Sequence, residues 1–274
     1  MAASLTPYEL VFGASVFEAE HFPAIEAELE ARSAVASDPA AFVMFASVGR
    51  LLRALRPPEE SQEAAARDAV MHYGALAFQA WHFRAQGKRL FTLDDASLDL
   101  LVACETIGPW PFTPLARAGY VQFPRNRIWT RAEEAAAAEP VDGFFWTLIP
   151  VAPGDASRLD VVLCTGLRPG RPGLGATPVA AWLPADPPGH WGDVQARENG
   201  SDFANVLPGG ELSGLYALTN AAEVLKLLSR LFWYASKDRG AMSAQVATAE
   251  DRSPSAHAMP ASQLQAISLR IAVG

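Results

Sequence analysis

The first third of the chain has the spacing of apolar side chains that is typical of amphipathic helices. Apolar residues recur there every three to four positions, which is the period of one helix face. Prolines and glycines separate these stretches, as expected where helices begin or end. The pattern predicts four helices, near residues 23–35, 40–56, 59–86 and 94–105.

The third predicted helix is expected to be the central one. It starts at Pro57–Glu60, where two prolines precede two acids, and both residue types favour the first turn of a helix. Gly87 is its expected end. Its later half carries apolar side chains on most sides, which indicates burial against several neighbours. The fourth helix is expected to begin at Thr92, with Asp95 three positions further on.

From about Gly119 the pattern changes to that of strands. Short runs rich in Val, Phe, Trp and Ile follow one another, and clusters of Pro, Gly and Asp separate them. Connections this short favour an antiparallel meander over crossover units. The predicted strands are residues 120–123, 141–149, 159–165 and 178–183.

The C-terminal part predicts one more helix and one more strand. Residues 215–236 carry an apolar face at helical spacing, so we expect a long helix that packs on the sheet. Residues 237–262 are rich in Ala and Ser, and they bury too little surface to offset the entropy of ordering them, which predicts a mobile linker. Beyond the linker, Ile267 and Leu269 alternate with smaller or polar residues, as in a strand. We expect this strand at an edge of the sheet.

Together these elements predict an α+β fold, in which an N-terminal helical layer packs on a mainly antiparallel sheet. The expected parts are a helical layer, a sheet with its packing helix, a mobile linker and a final edge strand: residues 1–115, 116–236, 237–262 and 263–274. Trp110, Phe112 and Leu115 lie at the first boundary and would serve as shared core. We therefore expect one continuous domain.

Composition and charge narrow the function classes. Of the 274 residues, 50% are hydrophobic and 19% are charged, with 30 acids against 22 bases. Residues 1–114 hold 15 of those acids and 8 of the bases, so the acidity is concentrated at the N-terminal side. This balance disfavours a general nucleic-acid-binding role and a basic membrane-surface role.

The compartment is expected to be the cytoplasm. The first residues lack the basic start and long apolar core of a signal peptide, and the most apolar helical stretches are shorter than a membrane span. The 2 cysteines, Cys104 and Cys164, are too few for a disulfide framework. No pattern in the sequence fixes the oligomeric state.

Known catalytic and metal-binding motifs are missing from the sequence. It has no P-loop, no Gly-x-Ser-x-Gly nucleophile turn, no His-Glu-x-x-His and no paired Cys-x-x-Cys. Glu18 and His21 have the spacing of one half of a di-iron site, but the second half is absent. We therefore expect no metal and no cofactor.

A basic segment rich in aromatic residues is the best candidate for a binding surface. Residues 117–131, called here the arginine–aromatic segment, contain 4 arginines, no acid, and Tyr120, Phe123 and Trp129. Arginine binds carboxylates and phosphates in a two-point fashion and stacks on planar rings, so Arg125, Arg127 and Trp129 are the predicted ligand-binding residues. The alternative is structural: the aromatic rings face the core, and the arginines face water and offset the acidic helical layer.

Two nearby regions supply further candidates. Arg168 and Arg171 lie in a glycine-rich loop that is either an anion-binding loop or a solvated hairpin connection. Asp142, on an Asp-Gly turn, and His190, in a Pro- and Gly-rich loop, are the candidate acid/base residues. Each of the two has a structural alternative, since Asp and Gly shape turns.

Two functions from different classes remain open. The first is a binding or accessory protein that docks an acidic protein partner or an anionic small molecule on the arginine–aromatic segment. The second is an enzyme that acts on an anionic small molecule, such as a nucleotide or a phosphate compound, with arginine anchors and Asp142 or His190 as the acid/base. Single-stranded nucleic-acid binding would use the same arginines and rings, but the overall acidity disfavours it.

Overall fold

The structure is a computed structural model of the chain. It describes residues 6–12, 17–55, 73–103, 115–130, 140–150, 157–165, 175–183, 195–198, 201–203, 217–218, 227–228, 230–234, 242–243 and 265–269.

Helices dominate the described residues before position 104. Their bounds are α1 Pro7–Val11, a π-helical turn Phe17–His21, α2 Phe22–Ala31, α3 Pro39–Phe42, α4 Ala46–Ala54, α5 Gly74–Ala85 and α6 Asp95–Ala103. Three of the four predicted helices are therefore present as α2, α5 and α6, although the predicted start of α5 lies outside the described residues.

The predicted helix 40–56 is instead two helices, α3 and α4. The chain between them leaves the helical conformation at Phe45, which has an extended ψ of 139°. The carboxylate of Glu28 in α2 caps the new N-terminus, because it accepts hydrogen bonds from the backbone N–H groups of Ala46 and Ser47 at 3.1 and 2.7 Å. Hydrogen bonding from Ser47 makes the largest contribution to lowering the pKa of Glu28 to about 2, and the backbone N–H of Ala46 and the charge of Arg32 lower it as well. The cap comes from a distant residue, so local periodicity does not reveal it.

The strands form one large sheet and one short pair. Their bounds are β1 Arg89–Leu93, β2 Ala118–Gln122, β3 Trp129–Thr130, β4 Val141–Pro150, β5 Ser157–Thr165, β6 Gly175–Leu183, β7 Gln195–Glu198, β8 Ser201–Phe203, β9 Ala217–Leu218, β10 Met242–Ser243 and β11 Gln265–Leu269. Within the described residues, the large sheet has the order β10-β11-β1-β2-β4-β5-β6-β7-β8, and β3 pairs with β9.

The large sheet is mixed. From β2 to β8 the neighbouring strands are antiparallel, as the predicted meander requires. Strand β1, by contrast, is parallel to both β2 and β11. The sequence does not predict β1, because its five residues lie between two helices and show no separate strand pattern. Helices and a mainly antiparallel mixed sheet confirm the α+β class.

Two expectations about the end of the chain are wrong in detail. The final strand β11 is not at the edge, because β10 pairs with its outer side while β1 pairs with its inner side. Alternation of apolar and polar side chains does not distinguish an edge strand from an interior strand. Residues 217–218, predicted as the start of a helix, form β9. Residues 227–228 and 230–234 are helical as predicted, and the rest of that helix and most of the predicted linker lie outside the described residues.

Both faces of the large sheet carry a buried apolar core. Successive residues of one strand point to opposite faces, so Tyr120 joins the core beneath the N-terminal helices while Val121 joins the core on the other side. On that other side, α6 and the helical residues 227–228 and 230–234 cover the sheet, and the rings of Trp146 and Phe232 lie 5.4 Å apart. The arginine–aromatic segment therefore begins as a strand buried on both faces.

Candidate functional site

The arginine–aromatic segment contains a surface loop anchored at both ends. The backbone N–H of Phe123 donates to the carbonyl oxygen of Asp142 at 2.9 Å, and the N–H of Val141 donates to the carbonyl oxygen of Ile128 at 2.8 Å. Phe123 and Ile128 are 4% and 0% exposed. Residues 124–127 form a turn between these anchors, with Asn126 in the left-handed region at φ 58°. The loop is thus held by buried residues on either side.

The side chains of this segment divide between core and surface. Tyr120 and Phe123 are buried, as the structural alternative expects. Arg125 is exposed, and Trp129 is 37% exposed. Among the described side chains, Val35, Met44 and Trp129 are the large apolar residues that are exposed. Trp129 begins β3, so this segment has an exposed indole ring four positions after the exposed Arg125 of the loop.

Arg127 binds acids of the same chain. Its Nη1 donates to Oδ1 of Asp95 at 2.7 Å, and its Nη2 donates to Oδ1 of Asp99. The two acids are four positions apart, which places them one turn apart on the same face of α6. The helix starts at Asp95 because the carboxylate of Asp94 caps it by accepting from the N–H of Ser97 at 2.8 Å. The expected start at Thr92 is wrong, since Thr92 belongs to β1.

Asp142 lies next to the loop, and its charge influences two buried groups of the core. It belongs to β4, directly beside a β-bulge between Val141 and Gly143. Burial raises the pKa of the Tyr120 phenol and of the Cys164 thiol, and the negative charge of Asp142 raises both further. Cys164 is a buried free thiol, which makes it a core residue and a poor nucleophile. The acid/base role of Asp142 stays a prediction.

Several predicted site residues lie outside the described residues. They are His190, Arg168 and Arg171, together with Arg131 at the end of the arginine–aromatic segment. Their roles also stay predictions.

A buried polar network that the sequence analysis missed joins α5 to the sheet. Thr147 donates its hydroxyl to Oε1 of Gln79 at 2.7 Å, and Nε2 of Gln79 donates to the carbonyl oxygen of Asp160 at 3.0 Å. The carboxylate of Asp160 pairs with Arg158, which also pairs with Asp38 at 3.1 Å. Gln79 and Asp38 are far in sequence from the strand residues that they contact, so only the fold brings them together.

A second group of charges links the N-terminus to α5. Glu18 accepts from the hydroxyl of Tyr8 and from the ammonium of Lys88, and it lies 3.6 Å from Nε of Arg84. With two cations and a phenol around it, Glu18 is part of a structural ion-pair network. Within the described part of the chain, no three side chains of His, Cys, Asp or Glu are grouped so that they could hold a metal ion.

Membrane insertion through a helix finds no support in the described residues, where every helix is too short or too polar to span a bilayer.

Comparisons with known proteins give little guidance. No protein-family model matches the chain, and no curated protein matches it. Among solved structures, the chain is similar to the crystal structure of AcrVA2, with 11% sequence identity and a TM-score of 0.41, over 92% of this chain and 78% of that chain. A similarity of this size supports no argument about function, so the function has to be inferred from the chain's own residues.

Proposed function

We propose that this chain is a binding or accessory protein that docks an acidic partner or an anionic ligand on the arginine–aromatic segment. The observation that carries the proposal is the exposure of Arg125 on the loop and of Trp129 at the start of β3, directly after the buried anchor Ile128. An exposed arginine supplies charge and two-point hydrogen bonding, and a partly exposed indole supplies a flat apolar surface. Arginine and tryptophan are also the residue types that most often dominate the energy of protein interfaces.

The charge of the surroundings favours a compact acidic partner over nucleic acid. Asp95 and Asp99 lie beside the loop, and the whole chain has a formal net charge of −8. A long polyanion that follows a surface needs a continuous basic stripe. A single loop with a few arginines suits a short acidic segment better. Acting in the cytoplasm is part of the same proposal, because the free thiol of Cys164 gives no sign of an oxidising compartment.

The enzyme alternative keeps Asp142 as its acid/base residue. The described effects of Asp142 are on the buried groups of Tyr120 and Cys164, which do not form a reaction centre with an exposed ligand. We therefore place this alternative second.

A fluorescein-labelled peptide of ten glutamates tests the proposal by fluorescence anisotropy at low salt. The double variant Arg125→Ala/Trp129→Ala should bind the peptide at least about tenfold more weakly. Losing a hydrogen bond between the arginine and a carboxylate, or losing a central aromatic contact, costs roughly 1 to 3 kcal/mol of binding free energy. The matched control is Arg50→Ala/Met44→Ala, which removes one exposed arginine and one exposed apolar side chain from the helical layer. It should bind like the wild type.

Two results would contradict the proposal. One is equal weakening by both double variants, which would mean that binding follows total charge. The other is absence of peptide binding by the wild type at low salt. A parallel ³¹P NMR measurement with ATP addresses the enzyme alternative: turnover that Asp142→Asn abolishes would favour it over the binding role.

A further inference from the structure

Arg127 binds two carboxylates of its own chain in the way that an arginine would bind the carboxylates of a ligand. One guanidinium holds two separate carboxylates, Asp95 through Nη1 and Asp99 through Nη2. The two acids lie one helical turn apart on α6. The fork of Arg127 is therefore arranged to receive two carboxylates at the spacing that one face of a helix presents.

These ion pairs are accessible to solvent and therefore exchangeable. The side chain of Arg127 is 32% exposed, and those of Asp95 and Asp99 are 66% and 46% exposed. Pairs this exposed contribute little to stability, because water screens the charges and the side chains lose entropy on pairing. A carboxylate from another molecule can take the place of either acid at small cost.

The backbone beneath the pairs is fixed, so only the side chains can exchange. Leu98 and Leu101 anchor α6 in the core, and both are fully buried. Ile128, next to Arg127, is fully buried in the same core. A ligand that reaches Arg127 therefore still meets the negative charges of Asp95 and Asp99 nearby, and those charges repel it.

We infer that Asp95 and Asp99 compete with the partner for Arg127, and that the partner is an acidic helical segment with carboxylates one turn apart. The inference rests on the proposed function and deepens it. It assigns the arginine–aromatic segment a preferred ligand, which carries acids at positions i and i+4. It also assigns α6 the role of lowering the affinity for every weaker acidic ligand.

The test uses two labelled helical peptides of identical composition. In the first, pairs of glutamates lie four positions apart on one face; in the second, the same glutamates are distributed around the helix. The wild type should bind the first peptide more tightly than the second. The variant Asp95→Asn/Asp99→Asn should bind the first peptide about two- to thirtyfold more tightly than the wild type does, which is the range for removing two exposed pairs.

A matched control removes two acids of the same spacing elsewhere. Glu26 and Glu30 are exposed and lie four positions apart on α2, which packs on the opposite face of the sheet from α6, so Glu26→Gln/Glu30→Gln removes the same net charge on the other side of the sheet. This variant should stay within about twofold of the wild type, because screening limits the reach of exposed charges to roughly 10 Å. Adding Arg127→Ala to the Asp95/Asp99 variant should cancel the gain in affinity.

The outcomes separate this inference from the proposed function. If Arg125→Ala/Trp129→Ala does not weaken binding, the proposed function fails. If that variant weakens binding but Asp95→Asn/Asp99→Asn leaves the affinity unchanged or lowers it, the acids do not compete, and the inference alone is overturned. Equal binding of the two peptides by the wild type would overturn the assigned spacing. Circular dichroism melts confirm that each variant is folded.

Discussion

His82 and Asp160 are expected to titrate in the same pH range with opposite effects on stability. The pKa of His82 is lowered from its ordinary value of 6.5 to about 4, chiefly by burial and also by the charge of Arg158, while the contact with the carbonyl oxygen of Ala36 at 2.8 Å opposes the shift. The pKa of Asp160 is raised from 3.8 to about 6, because burial and the charge of Asp38 together outweigh the opposing effect of Arg158.

The sign of each effect follows from which state binds the proton. Between pH 6.5 and 4 the unfolded chain protonates His82 and the folded chain does not, so stability falls as the pH falls. Between pH 3.8 and 6 the folded chain holds a proton on Asp160 that the unfolded chain releases, so stability falls as the pH rises. Each shift spans about two pH units, which corresponds to about 3 kcal/mol for each residue. The two contributions therefore nearly cancel.

Single substitutions should reveal the separate pH dependence that each residue gives to the free energy of unfolding. The assay is urea unfolding followed by tryptophan fluorescence at intervals from pH 4 to 7. Relative to the wild type, Asp160→Asn leaves the His82 effect unopposed, so its free energy of unfolding should rise by up to about 3 kcal/mol from pH 4 to 6.5. His82→Gln leaves the Asp160 effect, so its stability should fall by a similar amount from pH 4 to 6.

The double variant is the internal control, because it removes both titrations. Its pH dependence should parallel that of the wild type, although its absolute stability will differ. Other carboxylates titrate in all four proteins and therefore drop out of the comparison. The reasoning is refuted if both single variants keep the wild-type pH dependence, or if both change it in the same direction.

Three further outcomes test the packing. Gly119→Ala should destabilise the protein by about 1 to 3 kcal/mol or more, because a Cβ there would lie 2.4 Å from the buried ring of Trp146; denaturant unfolding measures it. Gly49→Ala in α4 should instead be neutral or stabilise by up to about 1 kcal/mol, since the nearest atom to its Cβ is Nη1 of Arg53 at 3.7 Å. Cys164 should resist iodoacetamide in the native protein and react after unfolding, as peptide mass spectrometry would show; fast native labelling would contradict its burial.

The strands of the meander were the most predictable part of the fold. Their runs of β-branched and aromatic residues are continuous because both faces of the sheet are buried, and β4 and β5 extend close to the predicted bounds. The helical spacing of apolar residues likewise predicted α2, α5 and α6. Strand β1 was not predicted because its partners, β2 and β11, lie further along the chain, and pairing between separate segments leaves no local pattern in the sequence.

For the candidate site, the sequence predicts only which residue types it contains. The sequence shows that aromatic residues lie among the arginines of residues 117–131, but not which of these side chains face water. Tyr120 is buried within β2, whereas Trp129 is exposed at the start of β3, and both depend on how these strands pair in the fold. The acids that bind Arg127 lie 32 and 28 positions before it, so their contact depends on how α6 packs beside the loop.

The different surroundings of two arginines decide which substitutions are informative. Arg127 is tied to α6, so its removal changes the contact between loop and helix at the same moment as it changes any ligand contact. A loss of binding in an Arg127 variant thus has two physical causes. Arg125 and Trp129 are both exposed, and neither belongs to the ion pairs that Arg127 makes with Asp95 and Asp99, so their substitution leaves both members of those pairs in place. The affinity of the Arg125/Trp129 variant, measured against the Arg50/Met44 control, therefore discriminates between a docking surface and a structural loop.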